Sequence, residues 1–403
     1  MSGNLLVLNS GSSSLKFAVY VVNEPERDTE PQRRLRGQIT GLDAKPRFRV
    51  EDAEGHIVEK NDRPSGLDSF GQEEALGFLM DWLEQHLDGQ LLHAAGHRVV
   101  HGGQHFRSAV RVSSEVLERM EALVPLAPLH QPHNIAPIRS LAKSRPDLFQ
   151  VACFDTAFHH TQPALERRLA LPRHITDQGV MRYGFHGLSY EYIAGALAER
   201  LGETETGRVV VAHLGSGASL AALRNGVSVA TTMGFTALDG LPMSTRCGSL
   251  DPGAVLYLLQ EKGMSPEEVT TLLYEQSGLL GISGISGDMR TLLDSDEPAA
   301  EEAVAVFVHR AVREIGALVA LLGGLDHLVF TGGIGEHSSP VRERICRHLD
   351  WLGVELDPGA NGTDAEQAQS ARSRAGVWII PTDEERMIAR HSLRLLQEEA
   401  PAS

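Results

Sequence analysis

The sequence predicts a mixed α/β fold, because short apolar runs that end in glycine- or serine-rich turns alternate with longer segments of helical periodicity. In residues 72–86, for example, apolar residues recur at Leu76, Leu79, Met80 and Leu83, the spacing of one helical face. Hydrophobic residues make up 42% and charged residues 22% of the 403 residues, an ordinary globular balance. A chain of this length is expected to form two or three packing units.

The predicted elements form two stretches of different character. The first is rich in strands, at residues 5–8, 15–22, 38–42, 48–51 and 56–60, followed by the helix at 72–86. The polar stretch 23–36, with Pro25 and Pro31, is interpreted as a surface connection. In the second stretch strands and helices alternate, which is typical of α/β proteins. Its strands are predicted at residues 94–101, 151–154, 208–212, 325–330 and 377–380, and its helices at 113–123, 188–201, 299–322, 339–349 and 384–397.

The composition argues against several classes of function. A formal net charge of −16 disfavours general binding to nucleic acid or anionic membranes, which requires basic surface. The widely spaced Cys153, Cys247 and Cys346 favour a reduced cytosolic setting over a disulfide framework or zinc site. We expect no signal peptide, because no basic segment precedes the first apolar run. We expect no membrane span either, because the apolar runs are too short.

Three glycine- and serine-rich turns follow predicted strands, at residues 9–14, 213–219 and 331–337. Small residues let backbone N–H groups and hydroxyls surround an anion, and Lys16 lies on the same strand face as Ser14. The third turn precedes a helix, an arrangement suited to a nucleotide. Residues 7–15 and 212–220 resemble each other, which indicates either an internal repeat or a chance match. For any single turn, a solvated hairpin tip is the alternative.

Cationic side chains occur in segments bounded by glycine, namely Arg98, His186 and Arg246. Each one alone is explained as a solvated or structural residue, but together they predict a local anion site in an acidic protein. Asp155 ends an apolar strand and is a candidate functional acid, with turn capping as an equal alternative. Capping also accounts for the acidic residues 383–385 at the start of a helix, and metal binding is the minority interpretation there.

Ten segments occur in a fixed order from residue 5 to about residue 390. They are NSGSSSLKF (9–17), GHRVVHGG (96–103), APLHQPHN (127–134), FDTAFH (154–159), RYGFHG (182–187), HLGSGASL (213–220), MSTRCGSLDPG (243–253), SGDMR (286–290), FTGGIGEHS (330–338) and IPTDEERMIA (380–389). In this combination the chain resembles the acetate kinases. They belong to the acetate/propionate/butyrate kinase family within the sugar kinase–Hsp70–actin superfamily.

The resemblance implies two actin-like, ribonuclease H-like βββαβαβα domains with an active-site cleft between them. The first would span residues 1–152, completed by a C-terminal helix at about 386–399, and the second, nucleotide-binding domain would span residues 153–385. The resemblance further implies a cytoplasmic homodimer that transfers the γ-phosphoryl group of ATP to acetate, giving acetyl phosphate and ADP. Mg²⁺ would be the metal, with Mn²⁺ as its alternative. Neither nucleic acid nor a membrane is an expected partner.

The resemblance also implies a role for each matching residue. The metal would be bound by Asn9 and Glu384. The catalytic residues would be Arg98, Asp155, His186 and Arg246. The acid would be bound by Arg98, Val100, Leu129, Phe185 and Ala237. The nucleotide would contact Ser12, Ser14, Lys16, His213, Leu214, Gly215, Ser216, Gly217, Asp288, Met289, Arg290, Gly333, Ile334, Gly335, Glu336 and His337.

Three of these residues depart from the family pattern. Ser216 and His337 stand where asparagine is usual, and Ala237 stands where proline usually lines the acid pocket. Losing that ring could enlarge the pocket and admit propionate, so a propionate or butyrate kinase is the nearest alternative, because one methylene is worth only about 1–3 kcal/mol of discrimination. A non-catalytic nucleotide-binding module and a sugar kinase are further alternatives. A carboxylate substrate is ionised at neutral pH, so orienting Arg98 or a metal-bound water is a better role for Asp155 than accepting a proton.

Overall fold

The chain divides into two compact units in a computed structural model that describes residues 2–23, 30–42, 45–62, 64, 71–87, 89–202 and 206–399. One unit comprises Met1–Phe158 with Asp383–Ser403, and the other comprises His159–Thr382. Each contains one β-sheet, which confirms the predicted α/β class. The boundary expected between residues 152 and 153 stays a prediction. Across the part of the chain that is described, no helix combines the length and the apolar character needed to cross a membrane.

Among the described residues of the first unit, eight strands build the sheet. They are β1 (Ser2–Ser10), β2 (Ser14–Asn23), β3 (Gln32–Thr40), β4 (Arg47–Asp52), β5 (Ile57–Asn61), β6 (Leu92–Val99), β7 (Val110–Arg111) and β8 (Phe149–Phe154). Their order in the sheet is β5-β4-β3-β2-β1-β6-β8-β7. Strands β1 to β5 form an antiparallel meander, whereas β6 runs parallel to both β1 and β8. The C-terminal ends of β1, β6 and β8 therefore meet at one edge of the sheet.

The sheet of the second unit repeats the central part of the first. Its strands are β9 (Arg208–Leu214), β10 (Ala218–Arg224), β11 (Val227–Thr231), β12 (His327–Thr331) and β13 (Gly376–Ile379). Their order is β11-β10-β9-β12-β13, with β12 parallel to β9 and β13. This matches β3-β2-β1-β6-β8 strand by strand in order and direction. The common topology supports the internal repeat that residues 7–15 and 212–220 indicated.

Each unit also contains helices. In the first unit they are α1 (Gln72–His86), α2 (Ser114–Glu121), α3 (Gln131–Ser144) and, as the last in the chain, α15 (Glu384–Glu399). In the second they are α4 (Ala164–Arg167), α5 (Arg173–Asp177), α6 (Gly187–Leu201), α7 (Pro252–Gln260), α8 (Pro266–Glu275), α9 (Gly278–Ser283), α10 (Met289–Leu293), α11 (Pro298–Leu322), α12 (Gly332–His337), α13 (Ser339–Arg347) and α14 (Pro358–Gly362).

The buried faces explain why these residues form these elements. Leu76, Leu79 and Leu83 of α1 join Phe17 and Phe48 of the sheet in one buried cluster. A shift of one residue in β4 would turn Phe48 to the face that carries the exposed Arg47 and Arg49, so burial fixes the register of this strand. In the second unit, the run of valines at 209–211 is fully buried because α6 and α11 both contact β9.

One sequence-based interpretation was wrong. The polar stretch 23–36 was interpreted as a surface connection, but β3 begins at Gln32 and pairs with β2 as far as Val21. Leu35 is buried, whereas its polar neighbours are only partly buried or exposed, so the strand carries few apolar residues and lacks the expected signal. Residues 24–29 lie outside the described part of the chain.

Candidate active site

Arg98 stands at the centre of a polar cluster in the first unit. It lies near the end of β6, and the neighbouring strands β1 and β8 lead to Asn9 and Asp155 at the same sheet edge. The guanidinium donates to both carboxylate oxygens of Asp155, with Nε–Oδ1 at 3.0 Å and Nη2–Oδ2 at 2.6 Å. Its Nη1 lies 3.4 Å from Asn9 Oδ1 and 3.3 Å from Glu384 Oε2. Parallel strand pairing thus brings together side chains that are far apart in the sequence.

The cluster is largely shielded from solvent. The side chains of Asp155, Glu384 and Arg98 are 2%, 12% and 19% exposed. Burial disfavours the Arg98 cation, but the charges of Asp155 and Glu384 outweigh this effect and raise the pKa of Arg98. Arg98 is therefore a permanent cation. Because both oxygens of Asp155 accept from Arg98, the carboxylate is arranged to orient the guanidinium.

Helix α3 braces the two turns beside this cluster. Asn134 Oδ1 accepts from the backbone N of Val100 at 2.9 Å, and Asn134 Nδ2 donates to the carbonyl of Ser10 at 2.6 Å. Gln131 bonds to both backbone groups of His101, at 3.2 Å to N and 3.1 Å to O. Both amide side chains are buried. They provide hydrogen-bond partners for backbone groups at the ends of β1 and β6.

The acidic start of α15 directs oxygens at the same cluster. Glu384 and Asn9 each place an oxygen near Nη1 of Arg98, so two oxygen ligands of the kind that Mg²⁺ prefers converge. Burial raises the pKa of Glu385, and the charge of Glu384 raises it further. The like charges of this run repel each other, and a bound cation would relieve that repulsion. The residues present therefore fit a divalent metal ion.

The second and third predicted turns lie side by side in the second unit. Strands β9 and β12 are parallel neighbours, with His213 opposite Thr331, so both turns leave the sheet at one edge. Gly332 has φ +74°, and a Cβ at this position would lie 2.8 Å from the carbonyl oxygen of Leu214. Glycine is therefore required for this close approach. The edge presents the backbone of two turns, which is an arrangement suited to phosphate groups.

His186 lies beside the second turn and is held by buried hydroxyl groups. It precedes α6 with φ +57°, a left-handed conformation that few non-glycine residues adopt. Its Nδ1 lies 2.9 Å from Ser219 Oγ, which lies 2.6 Å from the hydroxyl of Tyr190. Its ring stacks on His213 at 4.3 Å between centroids, and Nε2 faces Gly217. Backbone strain of this kind is typical of functional positions.

Arg246, a predicted catalytic residue, and Ala237, predicted to bind the acid, lie together in the second unit. Nη1 of Arg246 donates to the carbonyl of Ala237 at 3.0 Å and lies 3.6 Å from Sδ of Met243. The backbone of Met243 bonds to the carbonyl of Arg246 at 3.0 Å, which closes the loop between them. Residue 237 therefore affects the orientation of Arg246 through its backbone carbonyl.

Comparison with known proteins assigns the family. A sequence profile described as the Acetokinase family matches residues 4–390. The chain belongs to this family. It is 54% identical over 401 residues to the acetate kinase of Rhodopseudomonas palustris strain TIE-1, covering 98% of this chain and 99% of that protein. It is 51% identical over 406 residues to the acetate kinase of Methylocella silvestris, covering all of both chains.

Solved structures of acetokinase relatives have the same fold. A propionate kinase from Francisella tularensis matches with a TM-score of 0.85 at 36% identity, covering 96% of this chain and 98% of that one. An acetate kinase from Porphyromonas gingivalis matches with a TM-score of 0.83 at 34% identity, covering 98% and 100%. The family recognised from the sequence, its actin-like fold class and its enzyme class, a kinase, are confirmed.

The remaining predicted residues of the acetokinase motifs are exposed to different degrees. Ser12, Lys16, Ser216, Gly333 and His337 are exposed, as expected of groups that would meet a nucleotide. By contrast, Leu214 and Met289 are buried. The half-buried residues are Ser14, Gly215, Gly217 and Ile334, while Gly335 is buried and Arg290 is exposed. Of the predicted acid-binding residues, Val100 and Phe185 are buried and Leu129 is exposed.

Two residues predicted to contact the nucleotide make hydrogen bonds within the protein. Asp288 caps α10, where its Oδ1 accepts from the backbone N of Thr291 at 2.8 Å. Glu336 Oε1 accepts from the backbone N of Gly332 at 2.8 Å and from that of Thr382 at 3.1 Å. Glu336 therefore holds the third turn against the segment that follows β13.

The sequence analysis did not identify Arg342, which binds backbone carbonyls of the third turn. Its side chain is fully buried, and Nη1 donates to the carbonyls of Gly335 and Glu336, both at 2.8 Å. These carbonyls end α12 and have no partners within that helix. Nη2 of Arg342 pairs with Asp364, which balances its charge. The available signal was that Arg342 lies on the apolar face of α13, between Val341 and Ile345.

Proposed function

We propose that this chain transfers the γ-phosphoryl group of ATP to acetate, reversibly, giving acetyl phosphate and ADP. Membership of the acetokinase family supports this reaction. The single observation that supports this reaction most strongly is the position of Arg98. It is a permanent cation that Asp155 orients at the sheet edge where β1, β6 and β8 end. We propose that residues of both units, including Arg246 and His186, take part in the same reaction.

The chemistry requires charge neutralisation more than proton transfer. A carboxylic acid with a pKa near that of glutamic acid, about 4.3, is ionised at neutral pH, so the nucleophile is ready. Its obstacle is repulsion, because an anion must attack a polyanion through an in-line transition state with charge on the phosphoryl oxygens. Preoriented cations and backbone N–H groups lower that barrier. Arg98 and Arg246 would bind the acid and the phosphoryl group, and the turns at 213–219 and 331–337 would bind the nucleotide.

The metal is part of the proposal. Asn9 and Glu384 would hold Mg²⁺, or Mn²⁺ in its place, because their oxygens converge beside Arg98. When bound, the metal would neutralise phosphate charge. Asp155, in this account, keeps the Arg98 guanidinium in position.

The test is direct detection of the acyl phosphate. Purified protein is incubated with Mg-ATP and acetate, and hydroxylamine converts any acetyl phosphate to a coloured hydroxamate. We expect hydroxamate that depends on ATP, acetate and metal together. A purified, folded protein that forms none would refute the proposed function.

Propionate is the second candidate substrate, because Ala237 stands where proline is usual in the family and because a propionate kinase is among the similar structures. The same assay with two-, three- and four-carbon acids compares their kcat/KM values. Replacing Ala237 by proline should lower kcat/KM for propionate relative to acetate by about tenfold, the effect expected of one methylene. If the ratio of the two kcat/KM values does not change, residue 237 does not limit the size of the acid that the pocket accepts.

We also propose a cytoplasmic homodimer. Helix α7 supports a partner surface, because residues 254–259 are all apolar and none of its side chains is buried. Leu256 and Tyr257 are each about half exposed. Sedimentation of the wild type should give a dimer, and Leu256→Asp should shift it toward monomer. A monomeric wild type would contradict this part of the proposal.

A further inference from the structure

A buried pair of hydroxyl groups lies behind His186. Ser219, in β10, and Tyr190, in α6, are both fully buried. Ser219 Oγ links His186 to Tyr190: it lies 2.9 Å from Nδ1 of His186 and 2.6 Å from the Tyr190 hydroxyl. Neither residue belongs to the proposed contacts with acid, nucleotide or metal. Their bonds therefore act on the reaction only through His186.

The number of available hydrogens decides the direction of these bonds. Among the described residues, Ser219 is the hydrogen-bond partner of the Tyr190 hydroxyl, and burial raises the pKa of Tyr190, so this group keeps its hydrogen. If Tyr190 donates to Ser219 and Ser219 donates to Nδ1 of His186, both hydroxyl hydrogens are used. Any arrangement with a hydrogen on Nδ1 leaves one hydroxyl hydrogen buried without an acceptor, which is unfavourable. The bonds therefore run from Tyr190 through Ser219 to His186.

An imidazole that accepts at Nδ1 carries its hydrogen on Nε2. Nε2 is the nitrogen that faces the second turn, 3.3 Å from the position that a Cβ of Gly217 would take. A second chain of the same kind runs to the stacked His213: Thr382 Oγ1 donates to Ser189 Oγ at 2.8 Å, which lies 2.8 Å from Nδ1 of His213. Each of the two stacked imidazoles is thus oriented by its own pair of hydroxyl groups.

We propose that Tyr190 and Ser219 are positioning residues that hold His186 in its Nε2–H tautomer, so that this side chain serves as a neutral hydrogen-bond donor to a phosphoryl oxygen. The inference rests on the proposed phosphoryl transfer. A neutral donor stabilises developing negative charge without a protonation step.

The tautomer can be measured without any activity. Nitrogen-15 spectra of the imidazole groups, with His186 assigned from the spectrum of His186→Gln, report which nitrogen carries the hydrogen. We expect an unprotonated Nδ1 and a protonated Nε2 in the wild type, and a mixture of tautomers in Ser219→Ala. A hydrogen on Nδ1 of wild-type His186 would overturn the inference.

Kinetics test the positioning role. Tyr190→Phe and Ser219→Ala should each lower kcat by about 10- to 100-fold, the range seen for groups that orient metal-binding histidines, with KM for ATP nearly unchanged. In a His186→Gln background, Tyr190→Phe should have no further effect, because no imidazole is left to orient. Equal losses in both backgrounds would mean a structural role for Tyr190 and would overturn the inference.

Tyr183→Phe is the matched control. It also removes a buried tyrosine hydroxyl, one that donates to the carbonyl of Gly179 at 2.8 Å, and it should keep kcat. Circular dichroism verifies that each variant is folded, and Ser219→Ala replaces Tyr190→Phe if the latter is not. A wild type that forms no acyl phosphate would refute the proposed function, whereas an active wild type with an equally active Tyr190→Phe would refute this inference alone.

Discussion

Replacing Asp155 by asparagine separates the two roles that its carboxylate could have. Asparagine preserves the size of the side chain but offers one acceptor oxygen and places an NH2 group near the Arg98 nitrogens. In the native site Arg98 makes three contacts with this carboxylate, at 3.0, 3.2 and 2.6 Å. Because Asp155 is buried, water does not readily replace the lost acceptor.

The expected magnitudes follow from these contacts. Hydrogen bonds to a charged group contribute about 1.5–3 kcal/mol each, and breaking a buried pair costs about 3–5 kcal/mol. With one acceptor oxygen retained, we expect the free energy of unfolding to fall by about 2–3 kcal/mol. A guanidinium displaced by about 1 Å should lower kcat roughly 100-fold.

The assay is hydroxamate formation over a pH series, combined with denaturant unfolding. If Asp155 orients Arg98, the loss of kcat is the same at every pH at which acetate is ionised. If Asp155 accepted a proton, the loss would be small at neutral pH and would grow as the pH falls toward the pKa of the substrate. That pH-dependent pattern would refute the orienting role.

Asp326→Asn provides a matched control for the loss of an ion pair. Asp326 binds Arg208 with similar geometry, at 2.9 Å to Nε and 2.6 Å to Nη2, but both side chains are more than a third exposed. Exposed pairs contribute little to stability, about 0–1 kcal/mol. This variant should therefore keep both its kcat and most of its stability.

Three further predictions concern metal, nucleotide and acid stability. Glu384→Gln should raise the Mg²⁺ concentration for half-maximal activity about tenfold, and an unchanged titration would favour the capping interpretation. Arg342→Met should raise KM for ATP about tenfold, because the carbonyls that end α12 lose their donor. Arg344→Met should not, because the half-buried Arg344 pairs with Glu301 instead. Buried His97 and His159 have pKa values of about 4 because burial disfavours the cation. Below about pH 6.5 the unfolded chain therefore binds more protons than the folded chain. The free energy of unfolding, measured in urea, should fall as the pH is lowered from about 6.5 to about 4. A constant free energy over this range would contradict the prediction.

The central strands and long helices could be predicted from the sequence because their patterns are strong. The predicted limits of α1 coincide with its observed limits, and α11 begins one residue before its predicted start. The apolar side chains that define these periodicities are the ones that the fold buries, so pattern and packing agree. Asn9, Arg98 and Asp155 lie at strand ends, where side chains from separate parallel strands meet.

Helix α3 was not predicted, because prolines obscure it. Pro132 lies in its first turn, where a missing N–H costs nothing, but Pro137 interrupts its hydrogen bonds. The helix forms nevertheless, because Ile135, Ile138 and Leu141 are buried against the sheet. Tertiary burial outweighed local propensity here.

The partners of the site residues could not be predicted either. Nothing in the sequence links Asn134 to the ends of β1 and β6, or Tyr190 to Ser219, because these bonds depend on how separate elements pack. Motifs identify residues that would meet the ligand, whereas the residues that position them carry no common pattern.

The central claim is that fixed cations allow a carboxylate to attack a phosphate, and chemical rescue of Arg246 tests it most directly. We expect Arg246→Ala to lose kcat by orders of magnitude while retaining ATP binding, and free guanidinium to restore a measurable part of the activity. A variant with near-normal kcat in the absence of guanidinium would contradict the account.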